Sequence, residues 1–527
     1  MYIEPNTKIR LIKNCPLDKS QENTIYFTSQ AAQTTYFTST LSGYLFDKNT
    51  YQRVNKGVLR VAMNAEALYN CNYLAFQNYA FGDKWFYAFI DKIEYINNIT
   101  SEISYTIDVM QTWHFAYDLE QCLVEREHSV TDNIGDNLVP ENLATGEYIT
   151  SNHSRYDDLE NLVPVLFCTV DKNYDDVNGT VNQGLFTGLM PIEFDDWEDL
   201  VDWIADLDIP KQQAIVSGCY MPSKLVHRPV SPASFQHTIP RITSLMRSDG
   251  TAVKNKKCLT YPYNFIYVTN FQGNNAVYKY EYFGTHIVSN VDSIIFRFSG
   301  GCNPNPSVFM FPFDYKGGDA LLENRDEGMS LSGYPQIAWN IDSFKAWLAQ
   351  NSSSLAVNGI ATAGSLAGYL GAGTAAAIIG APEVALPAMA IAGAFSLAKS
   401  AISGAMASLA PPQSKGSTNG ASQFQADNMN FEFMNKHITP EFATIIDDYF
   451  TMYGYATNKV KVPNRTARPE WNFVKTIGCK IQGINSGSGG LPADDADAIE
   501  TIYNRGVRFW TNPAHIGNYT YDNSPSI

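Results

Sequence analysis

The stretch GDKWFYAFIDKIEYINNITSEISYTIDVMQTW, residues 82–113, decides the fold class of this chain. In its second half, the apolar residues Ile103, Tyr105, Ile107 and Val109 alternate with polar ones. A period of two is typical of a strand with one buried face. The segment GDKWFYAFIDKIEYI has the composition of a preceding strand, and NNITS supplies the turn between the two. These residues predict a β-hairpin, with Val109 still within its second strand.

Aromatic residues extend this prediction along the chain. The 527 residues include 31 Tyr and 29 Phe, and aromatic side chains favour strands. The segments AVYKYEYF and SIIFRFSG, which alternate around Tyr280 and Phe296, predict further strands, and NRTARPEWNFVKTIGCKIQG is again strand-like. A chain of this length is too long to fold around a single hydrophobic core, so two to four domains are expected. We predict a mainly β fold with α elements, built of β-sandwich or barrel-like domains.

Two segments have helical patterns. In FDDWEDLVDWIADLDIP, Asp195 is placed to cap a helix and Pro210 to end it. The segment LPADDADAIETIYNRG predicts a second helix, with acids in its first turn and Gly506 as its C-cap. The apolar face of the first helix consists of Trp197, Leu200, Val201 and Ile204.

The net charge of the chain argues against a surface that binds nucleic acid tightly. The 37 basic and 53 acidic residues give a net charge of −16, whereas surfaces that hold nucleic acid are basic. Acidity suits a surface that DNA slides past, and it also suits solubility alone. The basic run KVKVPNRTARP is either an exposed edge strand, a salt-bridging subunit contact or a contact with DNA phosphates. Its cations are Lys459, Lys461, Arg465 and Arg468.

The cysteines are scattered and form neither a CxxC motif nor a zinc-like spacing with histidine. We expect buried thiols in a chain that folds in a reducing cytoplasm. The N-terminal MYIEPNTKIR lacks the apolar core of a signal peptide, which agrees with this expectation. The eight cysteines are Cys15, Cys71, Cys122, Cys168, Cys219, Cys258, Cys302 and Cys479.

An apolar insertion interrupts the β pattern. Residues 352–417 contain one acid, Glu383, and two bases, Lys399 and Lys415. Its two arms, residues 355–379 and 388–409, are each long enough at about 1.5 Å per residue to span a hydrocarbon core of about 30 Å. The residues that shape this predicted helical hairpin, through close helix approach or a turn, are Gly364, Gly368, Gly380, Pro382 and Pro387. Those predicted to enter the membrane are Leu355, Ile360, Leu366, Leu370, Ile378, Ile379, Val384, Leu386, Met389, Ile391, Phe395, Leu397, Ile402, Met406 and Leu409.

Three interpretations of this insertion stay open on composition alone. It is richer in Ala, Gly and Ser than in Leu and Ile, which is less apolar than a resident membrane span. It is therefore a buried Ala-rich hairpin in a core or between subunits, a sequestered segment that enters lipid when released, or a disordered linker. The flanks NSSS and PPQSKGSTNGAS have the composition of flexible linkers, which permits release.

Motifs of catalysis are absent from the sequence. The histidines form no HExxH, there is no GxSxG, and GINSGSGGLP lacks the GK[ST] ending of a phosphate-binding loop. Glu125 and Glu127 offer a carboxylate pair of the kind used in glycoside hydrolysis. The acid clusters in EFDDWED and ADDADA fit helix N-termini instead. We predict no enzyme activity, no cofactor and no metal site.

Several stretches resemble one family. In order, they are NTIYFTSQAAQTTYFTS, YLAFQN, GDKWFYAFIDKIEYINN, IDVMQTW and LVEREH, and then YGYATNKVKVPN, GCKIQG, IYNRGVRFW and IGNYT. Together they resemble the distal tail tube, or tail knob, proteins of small short-tailed phages with protein-primed genomes. The resemblance covers residues 1–130 and 445–520, and the run from FQNYAFGDKWFYAF to VEREH is its most specific part.

The resemblance implies a structural virion protein at the distal end of the tail, assembled in the host cytoplasm as a homohexameric tube beside other tail or collar proteins. DNA would pass through its lumen without specific binding. In this family a long apolar loop plugs the tube and then forms a pore in the host cytoplasmic membrane, and residues 355–409 occupy the matching place. The expected divisions are residues 1–135 and 423–527 for a β-rich tube domain, 136–345 for a middle α+β domain and 346–422 for the loop.

Two other functions are considered. A tail-associated cell-wall hydrolase would lose activity on peptidoglycan when Glu125 is replaced by Gln. A free pore-forming toxin would be expected to carry a secretion signal.

Overall fold

The computed structural model describes residues 7–49, 57–78, 82–173, 181–182, 185–186, 189–205, 214–226, 235–284, 293–316, 327–337, 429–483 and 490–524. Strands outnumber helices in these ranges, which confirms the predicted mainly β fold with α elements. Their α-helices are α1 (Gln30–Thr35), α2 (Val109–Thr112), α3 (Trp197–Ala205), α4 (Ser223–Val226), α5 (Pro440–Tyr453) and α6 (Ala493–Arg505). Their strands are β1 (Thr7–Lys13), β2 (Asn23–Ile25), β3 (Gly43–Asn49), β4 (Val58–Val61), β5 (Cys71–Asn78), β6 (Trp85–Asn97), β7 (Thr100–Ile107), β8 (Tyr117–Leu119), β9 (Cys122–Glu127), β10 (Tyr148–Arg155), β11 (Leu162–Cys168), β12 (Val181–Asn182), β13 (Leu185–Phe186), β14 (Met190–Glu193), β15 (Ile215–Pro222), β16 (Gln236–Pro240), β17 (Asn264–Thr269), β18 (Asn275–Lys279), β19 (Ser293–Gly301), β20 (Ser307–Pro312), β21 (Met329–Leu331), β22 (Gln336–Ile337), β23 (Glu432–Ile438), β24 (Tyr455–Lys461), β25 (Trp471–Ile477), β26 (Ile481–Gly483) and β27 (Val507–Trp510).

The chain divides into two units that are discontinuous in sequence. Unit 1 comprises Met1–Gly146, Ser244–Thr260 and Thr439–Ile527, and unit 2 comprises Glu147–Thr243 and Tyr261–Ile438. The short segment 244–260 therefore belongs to unit 1, although the chain on either side of it belongs to unit 2.

Unit 1 contains a six-stranded sheet in the order β3-β1-β5-β6-β7-β4 and a five-stranded sheet in the order β2-β27-β25-β9-β24. The predicted hairpin is confirmed as β6 and β7, which pair from Ala88 with Ile107 to Asn97 with Thr100. The prediction for Val109 is wrong. The Asp108 carboxylate accepts the backbone N–H of Gln111 at 3.1 Å, which caps α2 and ends the strand at Ile107.

Both faces of the six-stranded sheet are covered. Leu11, Leu74 and Ile103 are buried in one core, while Phe37 stacks on Tyr73 in another, with ring centroids 5.3 Å apart. Helix α6 packs on the five-stranded sheet and ends as predicted. Gly506 has φ = 102°, a conformation that favours glycine, and its N–H donates to the carbonyl of Ile502 at 3.0 Å.

Unit 2 contains three four-stranded sheets, in the orders β10-β23-β17-β18, β14-β11-β15-β22 and β16-β19-β20-β21. Phe296 lies within β19 as predicted, whereas Tyr280 lies in a short 3-10 turn just after β18. The helix predicted around Trp197 is confirmed as α3, but the capping prediction is wrong. Asp196, not Asp195, accepts the backbone N–H groups of the next turn, at 2.8 and 3.0 Å. The predicted helix stop, Pro210, lies outside the described residues.

All eight cysteines are free and buried, as the sequence predicts.

Asp447 in helix α5 attaches segment 244–260 to unit 1. Its carboxylate is fully buried and pairs with the guanidinium of Arg247. It also accepts the backbone N–H of Lys254 at 3.0 Å, and the backbone and side-chain N–H groups of Asn255, both at 2.9 Å. The Asn255 amide further donates to Thr451 at 2.8 Å. One carboxylate therefore satisfies several donors that would otherwise be buried without a partner.

Replacing Asp447 with Ala should destabilise unit 1 by about 3–5 kcal/mol, because it leaves a largely buried guanidinium and two backbone donors without their acceptor. Asp448 pairs with the same arginine but its side chain is 56% exposed, so Asp448→Ala should cost less than about 1 kcal/mol. Urea unfolding of both variants measures the difference. Equal losses would contradict the central role of Asp447.

Candidate functional site

The predicted membrane-active insertion, residues 355–409 within 346–422, lies outside the described residues. The structure describes the chain that enters and leaves it, up to Ile337 and again from Met429. We call residues 329–337 and 429–438 the insertion root.

Both halves of the insertion root pack into the same hydrophobic core of unit 2. Leu331 and Tyr334 precede the insertion, and Phe431 and Phe433 follow it; all four are at most 1% exposed. Met429, at 2% exposed, is already part of this core. The two halves of the insertion root are therefore held by one packed interior.

The two halves differ in how their backbones are paired. Before the insertion, the three-residue strand β21 pairs with β20 at the edge of its sheet, and the two-residue strand β22 pairs with β15, Ile337 lying opposite Gly218. After it, the seven-residue strand β23 lies inside its sheet, between β10 and β17. Because β23 is paired on both edges, the downstream half has the stronger backbone attachment.

The loop between β17 and β18 links the two halves. The Gln272 amide donates to the carbonyl of Ser332 and lies 3.8 Å from the sulfur of Met429. Its oxygen accepts the Ser332 N–H at 3.3 Å. Asn270 donates to the carbonyl of Ser330 at 2.7 Å, and its oxygen accepts the N–H of Gln272 at 2.9 Å, which fixes the loop.

Polar contacts also attach the downstream half of the insertion root to unit 2. The buried Asn430 amide donates to the carbonyl of Tyr156 and to the Glu160 carboxylate, both at 3.0 Å. Glu432, 5% exposed, accepts from the Arg155 guanidinium at 3.0 Å. The sequence did not reveal these residues. The letters NFQGNN between two strands indicate a turn, but nothing in them identifies partners 60 residues away.

A histidine lies against the insertion root. The ring of His237 is 4.8 Å from that of Phe433 and 5.9 Å from that of Tyr156, and its Nε2 is 2.9 Å from Ser154 Oγ. Burial lowers the pKa of His237 below its ordinary value, and the Asp157 carboxylate partly opposes this shift. The neutral ring is the form that this site favours.

The basic run is largely occupied by contacts within the chain. Strand β24 forms a sheet edge, as one interpretation predicted. Lys461 pairs with the buried Glu127, and Arg465 lies over the rings of Tyr26 and Tyr117. Arg468 is only 4% exposed. This use of Lys461, Arg465 and Arg468 does not support a phosphate-binding strip.

The candidate carboxylates also have structural partners. Glu125 pairs with Lys475 at 2.8 Å, and Glu127 accepts the N–H of Asn464 at 3.1 Å in addition to its lysine. The acid clusters lie at the start of α3 and α6, as expected for helix N-termini. Within the described ranges, no group of His, Cys, Asp and Glu is arranged to hold a metal ion.

None of the helices in the described ranges is both long enough and apolar enough to cross a membrane.

Comparison with known proteins assigns the family. The model described as Bacillus phage phi29 tail knob protein gp9, C-terminal domain, matches residues 231–524, more than half of the chain. The chain belongs to this tail knob family. Its N-terminal part, residues 5–118, matches the family described as Caudoviral major tail protein N-terminus.

The relatives extend over the whole chain. The tail knob proteins gp9 of Bacillus phages PZA and phi29 are 27% and 26% identical to it, each over 98% of both chains. The solved tail knob protein gp12 of bacteriophage C1 has the same fold, with a TM-score of 0.61 over 97% of this chain and 98% of that one, at 16% identity. This tail knob protein is thus a structural component of the virion, at the distal end of the tail.

Replacing Gln272 with Ala should loosen the upstream half of the insertion root. A hydrogen bond is worth about 1 kcal/mol, so amide exchange in residues 329–337 should become about fivefold faster, with little change in β23. Hydrogen-exchange mass spectrometry measures both segments. Thr238→Ala, at an exposed position of β16, is the control, and the same exchange rate in both variants would refute the bridging role.

Acid should weaken the packing around His237. Its folded-state pKa is lowered, so below the ordinary value of about 6.5 the unfolded chain binds the proton more readily. Stability from this group is therefore complete above about pH 6.5 and is lost as the pH falls. Between pH 7 and pH 5, the unfolding midpoint should fall less in His237→Gln than in the wild type. In Ser154→Ala it should fall as much as in the wild type. An unchanged pH dependence in His237→Gln would contradict this prediction.

Proposed function

We propose that this tail knob protein forms a homohexameric tube that conducts DNA during genome ejection. Residues 355–409 plug the lumen before infection and then enter the host cytoplasmic membrane to form a pore. The observation that carries the proposal is the insertion root. The described chain on both sides of this membrane-like stretch, up to Tyr334 and from Met429, packs into one buried core, so movement of the stretch between them leaves the insertion root anchored.

Physical chemistry supports two states for the insertion. In water, apolar arms are stable only when they are covered, and six copies inside a tube can cover one another. In lipid, every backbone polar group needs an internal partner, which helices and closed barrels provide. The Ala-rich arms favour helices. Each arm contains at least 22 residues, enough to span a bilayer.

The charge distribution supports passage of DNA without specific binding. The chain carries a net charge of −16, and several of its cations are used in internal contacts, among them Lys461 and Arg468. A tube wall with this balance repels phosphates, so DNA slides rather than sticks. The partners that follow are five further copies of this chain, the other tail or collar proteins and the host membrane.

Dye release from liposomes tests the proposal. The purified oligomer should release dye at neutral or acidic pH, whereas a variant with residues 355–409 replaced by a short Gly/Ser linker should not. Both should form rings in electron microscopy, because the deletion leaves the insertion root intact. If both proteins release dye equally, or if neither releases dye, the membrane role is refuted.

Charged residues within the arms sharpen the test. Leu366→Asp or Ile378→Asp should cost about 3 kcal/mol of insertion free energy at the centre of a bilayer. Each should reduce dye release and spare ring assembly. Ser353→Asp, in the polar flank, is the matched control and should release dye normally. A variant that blocks assembly but still releases dye would overturn the assignment of the arms.

A further inference from the structure

The β6–β7 hairpin has an exposed apolar tip. Tyr95, Ile96 and Ile99 are 58%, 43% and 73% exposed. Strand β5 pairs with β6 only from Trp85 to Phe89, so in the described part of unit 1 the β5-facing edge of β6 is unpaired beyond that point. The tip thus projects past its neighbouring strand, and its apolar side chains face solvent.

The opposite end of the same hairpin borders a cavity of about 820 Å³. This cavity lies where β5 and β7 end and β6 begins, and helix α6 contributes to its wall. Its volume is within the range of binding pockets, about 300–1,000 Å³. Its aromatic and aliphatic lining includes Phe76, Phe86, Tyr105, Ile107 and Val109. Two charged side chains also line it and already have partners: Lys19 pairs with Asp91, and Asp495 accepts the indole N–H of Trp113.

The tip cannot occupy the cavity of its own chain. Phe86 and Asn97 are eleven positions apart along β6, and at about 3.3 Å per residue the strand separates them by roughly 35 Å. The tip and the cavity are unlike surfaces, and they lie at opposite ends of one hairpin. A contact between unlike patches, repeated from copy to copy, closes into a ring when the rotation allows.

We propose that the hairpin tip of one copy, Tyr95, Ile96 and Ile99, inserts into the cavity at the hairpin base of the next copy. The proposal rests on the homohexamer of the proposed function and names a contact that builds it. An apolar anchor in an aromatic-lined pocket is the usual centre of a protein interface.

Two donors of the tip already have acceptors within it, which suits burial. The Tyr95 hydroxyl donates to Asn98 at 2.6 Å, and the N–H of Ile99 donates to Asn97 at 3.0 Å. Glu94 and Glu102, opposite each other on the two strands, are paired with Lys92 and Arg60 respectively. These two donors and two carboxylates therefore need no partner from the docked copy.

Crosslinking between two variants tests the contact. Ile99→Cys places a thiol at the tip, and Thr106→Cys places one at an exposed position of the cavity wall. The native cysteines are buried, so background reaction with a short bismaleimide is low. When the two chains are coexpressed, a crosslinked dimer of one chain of each kind should form, and either chain alone should give none. Ile445→Cys, at a 63% exposed position of helix α5 outside the six-stranded sheet, replaces Ile99→Cys as the control.

Assembly provides the second readout. Ile99→Asp should weaken ring formation at least about tenfold by analytical ultracentrifugation, while Ile445→Asp, the same substitution at an exposed position of α5, should assemble normally. Rings that form without the mixed crosslink, or that tolerate Ile99→Asp, overturn this contact and leave the cavity to another tail protein. A wild-type chain that remains monomeric refutes the proposed homohexamer itself, so the two failures are distinguishable.

Discussion

The buried carboxylate of Asp447 is the interaction on which the architecture of unit 1 depends. It satisfies the guanidinium of Arg247 and the backbone of Lys254 and Asn255, which lie about 200 positions earlier in the chain. A buried charge is tolerated only when it is paired and hydrogen-bonded, so helix α5 and segment 244–260 require each other. This requirement joins two of the three separate parts of the sequence that form unit 1.

In unit 2, the insertion root likewise joins segments that are distant in the sequence. Residues on both sides of the insertion reach one core, and Gln272 contacts Ser332 before it and Met429 after it. Their attachments are unequal, because β22 pairs over two residues and β23 lies inside its sheet. Strain applied to the insertion would thus be expected to act first on β22, while β23 keeps the fold of unit 2 in place.

Local sequence patterns predicted most of the secondary structure, but they could not predict contacts between residues far apart in the sequence. Alternation predicted the β6–β7 hairpin, and acidic first turns predicted α3 and α6, because these signals depend on neighbouring residues. Val109 and Asp195 were misplaced by one or two residues, since Asp108 and Asp196 are equally good caps by composition. The insertion was found from composition, but its root was not, because the partners of Gln272 and Asn430 are 60 and more than 270 positions away. For the same reason, residues 244–260 looked like part of the middle region.

The two proposals place different tasks in different units. The hairpin tip and cavity belong to unit 1, and the insertion root belongs to unit 2. A ring held by rigid strands does not need to rearrange when an apolar segment in another unit changes its surroundings. In the proposed mechanism, residues 355–409 exchange cover by other copies of the chain for cover by lipid, which replaces one apolar environment with another. Such an exchange needs little net driving force, so a modest trigger, such as contact with a membrane, is sufficient on this view.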